Sequence, residues 1–518
     1  MRTDRVQDES SIEYDEGDIN DVAKASTNPL DILTDNWSVN SRYQRDMLGG
    51  ETTFKLGYAT IEDSQFEQEE EIDYGDEVIE GTRVDTDLTD EELQAAIEHK
   101  ITLNGGLELE FGVQYADKKR ETSILESEAE VEDEPVFRAL LDSEYGDFEA
   151  VSGGLNTIEE TRLDPYVMLS GETGAAKWEA GLRYETTDVT ITDETVDAAD
   201  RVNEKDYGIL LPSASVRFKL SDADRITASV ARTVRRPNFD FISPAVLEGE
   251  YGDNDFRGNP DLEPETAWGV DIGFERRLGR RGVIGVNAFY RDITDLIELT
   301  NTGEFSDEAE GNYDDVYEEI YDEAIDAGST PAEADALAIA EAEGELTSFV
   351  LTVENVGDGQ VWGIEFDMST PLDFIGMEHT GVFVNYSWLD SSVDDFLGDR
   401  RFNSQSDYVF NVGFTQDIPT WGAAFGATYR KQGDAKERIV GEEVVTSYGG
   451  DLEIFVEKQV ASNVVIRFTG SNLLDSSKDE VFDKFNTIED QIDRDYDEYE
   501  IETEKSGPWF QVVARMAF

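Results

Sequence analysis

Strict two-residue alternation of apolar and polar side chains recurs along this chain, and it admits few folds. In Leu107-Glu108-Leu109-Glu110-Phe111-Gly112-Val113-Gln114-Tyr115 every odd position is apolar. Trp178, Ala180, Leu182 and Tyr184 alternate with Lys177, Glu179, Arg183 and Glu185; similar runs follow at Val270–Phe274, Trp362–Met368, Val382–Trp388 and Tyr408–Phe414. A strand sends successive side chains to opposite faces, so each run is an extended segment with one greasy and one polar face.

A soluble sandwich alternates too. Length separates the two cases. The runs extend over roughly 10 to 16 residues, whereas soluble strands average about 5 or 6 and a tilted membrane strand needs ~9–11. Tyr115, Tyr184, Trp388 and Tyr408 sit at the ends of apolar faces, as interfacial aromatic girdles do, and the opposite face carries charge and glycine, as a watery lumen would. A closed ring also explains how 518 residues form one β-domain, because strands are added around a ring and not around a single core.

Connection lengths agree. Eighteen candidate strands alternate between short turns (104–106, 171–174, 221–224, 279–281, 418–420, 460–461) and long connections (63–91, 120–156, 192–205, 236–265, 300–345, 392–403, 433–445, 471–507). Membrane barrels keep periplasmic turns short and extracellular loops long. The first strand, 3–14, is the weakest of the set. Within 300–345, the spacing of Tyr313, Tyr317 and Ile320 and the Ala-rich Pro331–Ala342 predict two short helices packed over the mouth.

Charge and chemistry narrow the function. Asp and Glu number 118 against 42 Lys and Arg, a formal charge of −76 that would repel nucleic acid. Aromatic content of 10% argues against an acidic disordered chain. The acid concentrates in the long connections, where it solvates the outer end or binds divalent cations bridging to an anionic outer leaflet. With no Cys there is no disulfide, thiolate metal site or Cys nucleophile. The two histidines, His99 and His379, fall beside short turns, away from the long loops, and no nucleotide loop, HExxH or GxSxG is present. The reading is therefore not an enzyme, with no cofactor and no metal; Asp253-Asn254-Asp255 is too short for an EF-hand.

Arg235-Arg236-Pro237-Asn238-Phe239, then Gly258-Asn259-Pro260-Asp261-Leu262-Glu263-Pro264-Glu265, Phe289-Tyr290-Arg291-Asp292-Ile293 and Asn355 through Glu365 resemble TonB-dependent outer-membrane receptors, of the long-loop type found in Caulobacter-like bacteria. The final alternating strand, Pro508 to Phe518, ends in an aromatic residue, resembling the signal read by the outer-membrane assembly machinery. The resemblance implies an all-β fold: a transmembrane antiparallel β-barrel of the 22-stranded receptor type, with about 18 strands in 1–518 and the plug domain and signal peptide missing. It implies bacterial outer-membrane localisation, contact with lipid and lipopolysaccharide, a monomer, and coupling to TonB–ExbB–ExbD through the plug. The implied activity is energised import of a scarce ligand. An oligosaccharide is favoured by Tyr251, Phe256, Tyr313, Tyr317, Tyr496 and Tyr499 among acidic loop residues; these aromatics could equally pack the loops. A ferric siderophore or cobalamin is the alternative within the family, and a passive porin or structural membrane protein the alternative outside it. Arg236, Pro237, Asn238, Gly258, Asn259, Pro260, Glu263, Pro264 and Glu265 read as structural: Pro260 and Pro264 cannot donate to a ladder, and Gly258 permits positive φ.

Overall fold

The computed structural model describes residues 2–14, 22–75, 77–132, 134–247, 254–342, 348–485, 488–496 and 498–516. Among the described residues, twenty-one strands join in one sheet. Three short ones, Val246–Leu247, Asp255–Arg257 and Gly398–Arg400, lie in loops, which leaves eighteen in the wall, the number expected. Neighbouring wall strands pair antiparallel from Arg2–Tyr14 round to Trp509–Met516. Among the described residues each of these two has one neighbour, Val22–Met47 and Val464–Ser471 respectively. At one short turn Leu48 (φ 53°) and Gly49 (φ 80°) are both left-handed, the backbone that a two-residue hairpin of native twist requires. No helix among the described residues is long and apolar enough to cross a membrane.

The strand Ala176–Asp193 shows how sequence sets height in the wall. Its lower half exposes Leu182 (43%) and Tyr184 (44%) outward, while Arg183 and Glu185 point the other way. Further up, the inward face turns apolar: Val189 (8%) and Ile191 (4%) are buried, and the outward positions become Thr186, Asp188, Thr190 and Thr192. Apolar side chains face outward only where lipid can receive them; above that height they face inward. The outward belt continues through Trp268, Val270, Ile272 and Phe274, and through Val286, Tyr290 and Ile364, all exposed.

Two segments expected as loops, 63–91 and 120–156, are largely strand. Gly50–Asp73 pairs with Val78–Thr102 without a break to Asp73↔Val78, and Val78–Thr102 pairs with Glu108–Val131. These stretches carry Glu, Asp, Gln and Thr with no greasy face, so the alternation signal fails there. Their backbone ladders hold regardless, helped by Lys24–Glu71 (3.1 Å) and by a small core of Ile72, Ile79, Ala129 and Leu140 beneath residues 134–148. With strands of up to 26 residues, the wall rises well beyond what a bilayer of ~30 Å can cover.

Helices form where the repeat changes to 3.6. The helix Asp307–Asp326 starts at Ser306, whose hydroxyl accepts from the Ala309 N–H, and the helix Pro331–Ala342 follows. The last two long loops jointly build a separate four-stranded sheet from Ala435–Ile439, Glu442–Tyr448, Lys478–Lys484 and Glu498–Glu504.

Candidate functional site

Residues 236–247 and 254–262 form a strap at the long-loop end, anchored on one side to the strands Glu149–Thr173 and Ala176–Asp193 and on the other to Gly282–Phe305 and Phe349–Pro371. On the first side, Arg236 donates to Glu185 and, at 3.3 Å, to Thr187. Asn238 caps a single helical turn, Phe239–Ile242, by accepting the Phe241 N–H at 2.8 Å. Gly153 sits at φ 68° directly against the Pro244 carbonyl, and Asn156 donates to Ser243 at 3.2 Å. Pro237 lies between the two anchors, where its fixed φ suits the turn away from the strand.

On the second side, the Asn259 side chain donates to the Val353 carbonyl at 3.0 Å and accepts from the Asp261 N–H at 2.8 Å. Asn355 accepts the Glu263 N–H at 2.9 Å and donates to the Glu263 and Asp295 carbonyls at 3.0 and 2.9 Å. Glu265 accepts from the Ile297 N–H and from Arg235. Gly258 has no room for a side chain: a Cβ would stand 2.2 Å from the Ser243 carbonyl oxygen. Pro260 and Pro264 bracket this turn. The strap carries Ile242 and Leu262 into one apolar cluster with Ile158, Val189 and Ile191 from the first side and Ile297 and Val353 from the second.

Two cations beside the strap, Arg120 and Arg236, are paired with carboxylates. Arg120 makes two 2.8 Å hydrogen bonds to Asp90, a third bond to Asp240, and stands 5.6 Å above the Phe239 ring. Burial disfavours the Arg120 and Arg236 cations, but the adjoining carboxylates outweigh it, so both hold their protons more tightly than a free guanidinium. Nothing in this arrangement is set up for covalent chemistry.

The aromatic candidates do not converge. Phe256 packs against the strap's apolar cluster. Tyr313 and Tyr317 stack with Tyr321, a residue missed at the level of sequence, in a ladder with centroids 6.2 and 5.9 Å apart along the helix Asp307–Asp326. The Tyr317 hydroxyl donates to Asp335 of the helix Pro331–Ala342 at 2.7 Å, and this bond pushes its proton loss up to about 12. Tyr496 and Tyr499 form a separate pair on the four-stranded sheet, 6.0 Å between centroids, each about half exposed. Tyr251 and Phe518 lie outside the described residues.

A second polar centre gave no sequence signal, because its members are far apart in the chain. Asp395 receives Arg400 at 2.7 Å and Arg438 at 2.9 Å, while Arg400 also reaches Glu298 at 2.7 Å.

The profile of the family described as "TonB dependent receptor-like, beta-barrel" matches residues 3–473. No curated protein sequence matches the chain. Among solved structures, the copper transporter OprC is similar with a TM-score of 0.56 at 11% identity, over 100% of this chain and 78% of that one. The FrpB iron transporter from Neisseria meningitidis (F3-3 variant) is similar with a TM-score of 0.50 at 12% identity, over 99% of this chain and 77% of that one. At such identities the likeness is one of fold.

Proposed function

This chain belongs to the TonB-dependent receptor family, outer-membrane receptors and transporters that are not enzymes, and from that premise we propose that it imports an oligosaccharide under TonB–ExbB–ExbD drive. The wall sits in lipid, and the strapped, acidic end faces outward among lipopolysaccharide. Working as a monomer, and insertion by the barrel-assembly machinery through the last strand, Trp509–Met516, belong to the same proposal.

One observation carries the choice of cargo. Tyr496 and Tyr499 present half-exposed rings side by side at the start of the edge strand Glu498–Glu504, whose opposite face carries Glu498, Glu500 and Glu502, the first two reaching Lys484 at 3.6 and 3.1 Å. Sugar rings offer C–H faces to aromatic rings and hydroxyl donors to carboxylates, which only accept. An anionic ferric chelate would be repelled by this surface and would call for exposed Arg clusters.

The test is uptake of labelled linear oligosaccharides by cells producing the receptor, with and without TonB. Saturable uptake lost without TonB supports the reading. Import of copper or iron complexes alone, the metals named for OprC and FrpB, would replace it. Sugar entry indifferent to TonB would make the protein a passive pore.

A further inference from the structure

Facing the lumen, between the strands Gly50–Asp73, Val78–Thr102, Glu108–Val131 and Glu149–Thr173 and the strap at 236–240, lies a cavity of about 440 Å³. That size falls within the ~300–1,000 Å³ of small-molecule sites. Two of its polar groups keep unused hydrogen-bonding capacity. Glu160 is buried to 6% exposure and feels the nearby Arg236 cation, but none of the described hydrogen bonds or salt bridges includes it. The Nε of Arg162 is buried and donates to nothing, although its Nη2 holds Asp164 at 2.8 Å. A carboxyl group and a guanidinium N–H buried in this way are costly unless something fills the gap.

We propose that this cavity is a lumenal subsite for one neutral, polyhydroxylated ring of the imported molecule; the inference rests on the oligosaccharide reading above. Four cationic and five carboxylate side chains line the space, so it attracts neither a free anion nor a free cation strongly. A hydroxyl group is both donor and acceptor, and so can serve Glu160 and Arg162 together. Phe239 and Ile61 supply apolar faces for the ring's C–H side.

Titrating the whole solubilised protein with maltohexaose, cellohexaose, xylohexaose and, as an anionic control, ferric citrate separates the outcomes. One hexaose binds the wild type; Glu160→Gln, which keeps the shape and removes the charge, weakens it about tenfold, and Phe239→Leu weakens it several-fold. Both variants retain the shifted gel migration of a folded barrel when unheated. If affinity falls only in Tyr499→Ala and is unchanged in the two cavity variants, the cavity holds ordered water alone; the subsite is then wrong and the cargo reading stands. If none of the hexaoses binds, whether or not ferric citrate does, both fall.

Discussion

Arg438 grips the carboxylate of Asp395 with two hydrogen bonds, Nε to Oδ2 and Nη2 to Oδ1, each 2.9 Å long. Asp395 ends a wall strand and Arg438 belongs to the separate four-stranded sheet, so this pair ties the cap to the barrel. The side chains are only 12% and 22% exposed, and the Leu397 N–H and Arg400 complete the shell. Removing Arg438 takes away two of these four hydrogen bonds and the contact that joins the carboxylate to the cap. Arg438→Ala should therefore cost the cap about 3 kcal/mol, seen as fast proteolysis within 433–445 and 471–507 while the wall resists. Unchanged cleavage would show that the cap is held elsewhere.

The same carboxylate gives the cap an acid limit. Burial alone would raise the Asp395 pKa, but hydrogen bonds from Arg438, the Leu397 N–H and Arg400 hold it below its ordinary 3.8. A depressed folded value means that the stabilisation is complete above that ordinary pKa and is lost as pH falls through the folded one. Cap protection against an acid-active protease should be flat from pH 8 to about 5 and should decline only below about 4. In Asp395→Asn the decline should vanish, at the expense of a weaker cap throughout.

Close backbone contact makes the strap sensitive to small additions. At Gly153 a Cβ would stand 2.1 Å from the Pro244 carbonyl oxygen, and the backbone is left-handed there. Gly153→Ala should cost the strap about 2 kcal/mol or more through clash and strain together. Hydrogen exchange would show it as loosening confined to 236–262, with Ala176–Asp193 still protected in its lower half. Gly105→Ala, at an open turn with nothing within 4 Å, should cost only the left-handed penalty of about 1 kcal/mol.

Much of this was legible in the sequence, and the exceptions have a common cause. The wall strands around Trp178–Tyr184 and Trp362–Met368 announce themselves because lipid demands one greasy face. The extensions through Glu62–Asp73 and Val78–Asp90 do not, since outside lipid a strand needs only its ladder. The strap motif was visible as a rigid turn at Pro260 and Pro264, whereas its clamps, Asn355 and Gly153, lie about a hundred residues away on either side. Glu160 reads as one more acid on a polar face until the fold closes over it.

Height in the wall should decide what a charge costs. Leu182→Arg places a cation on the outward belt and should destabilise the barrel by roughly 2–4 kcal/mol, read as loss of the folded gel species. Asp188→Arg, six residues higher on the same face and exposed, should be tolerated. Equal effects at the two positions would contradict a bilayer boundary between them.

The most direct test uses the absence of native cysteine, which makes any introduced thiol unique. Single cysteines carrying a spin label at each position from 177 to 192, in protein reconstituted into lipid vesicles, report contact with dissolved oxygen in lipid or with a water-soluble nickel complex. A membrane wall predicts oxygen contact at 178, 180, 182 and 184, little at the odd positions between them, and nickel contact at 186, 188, 190 and 192. Nickel contact at every even position from 178 upward would mean that the apolar face meets water, and the barrel reading would be lost.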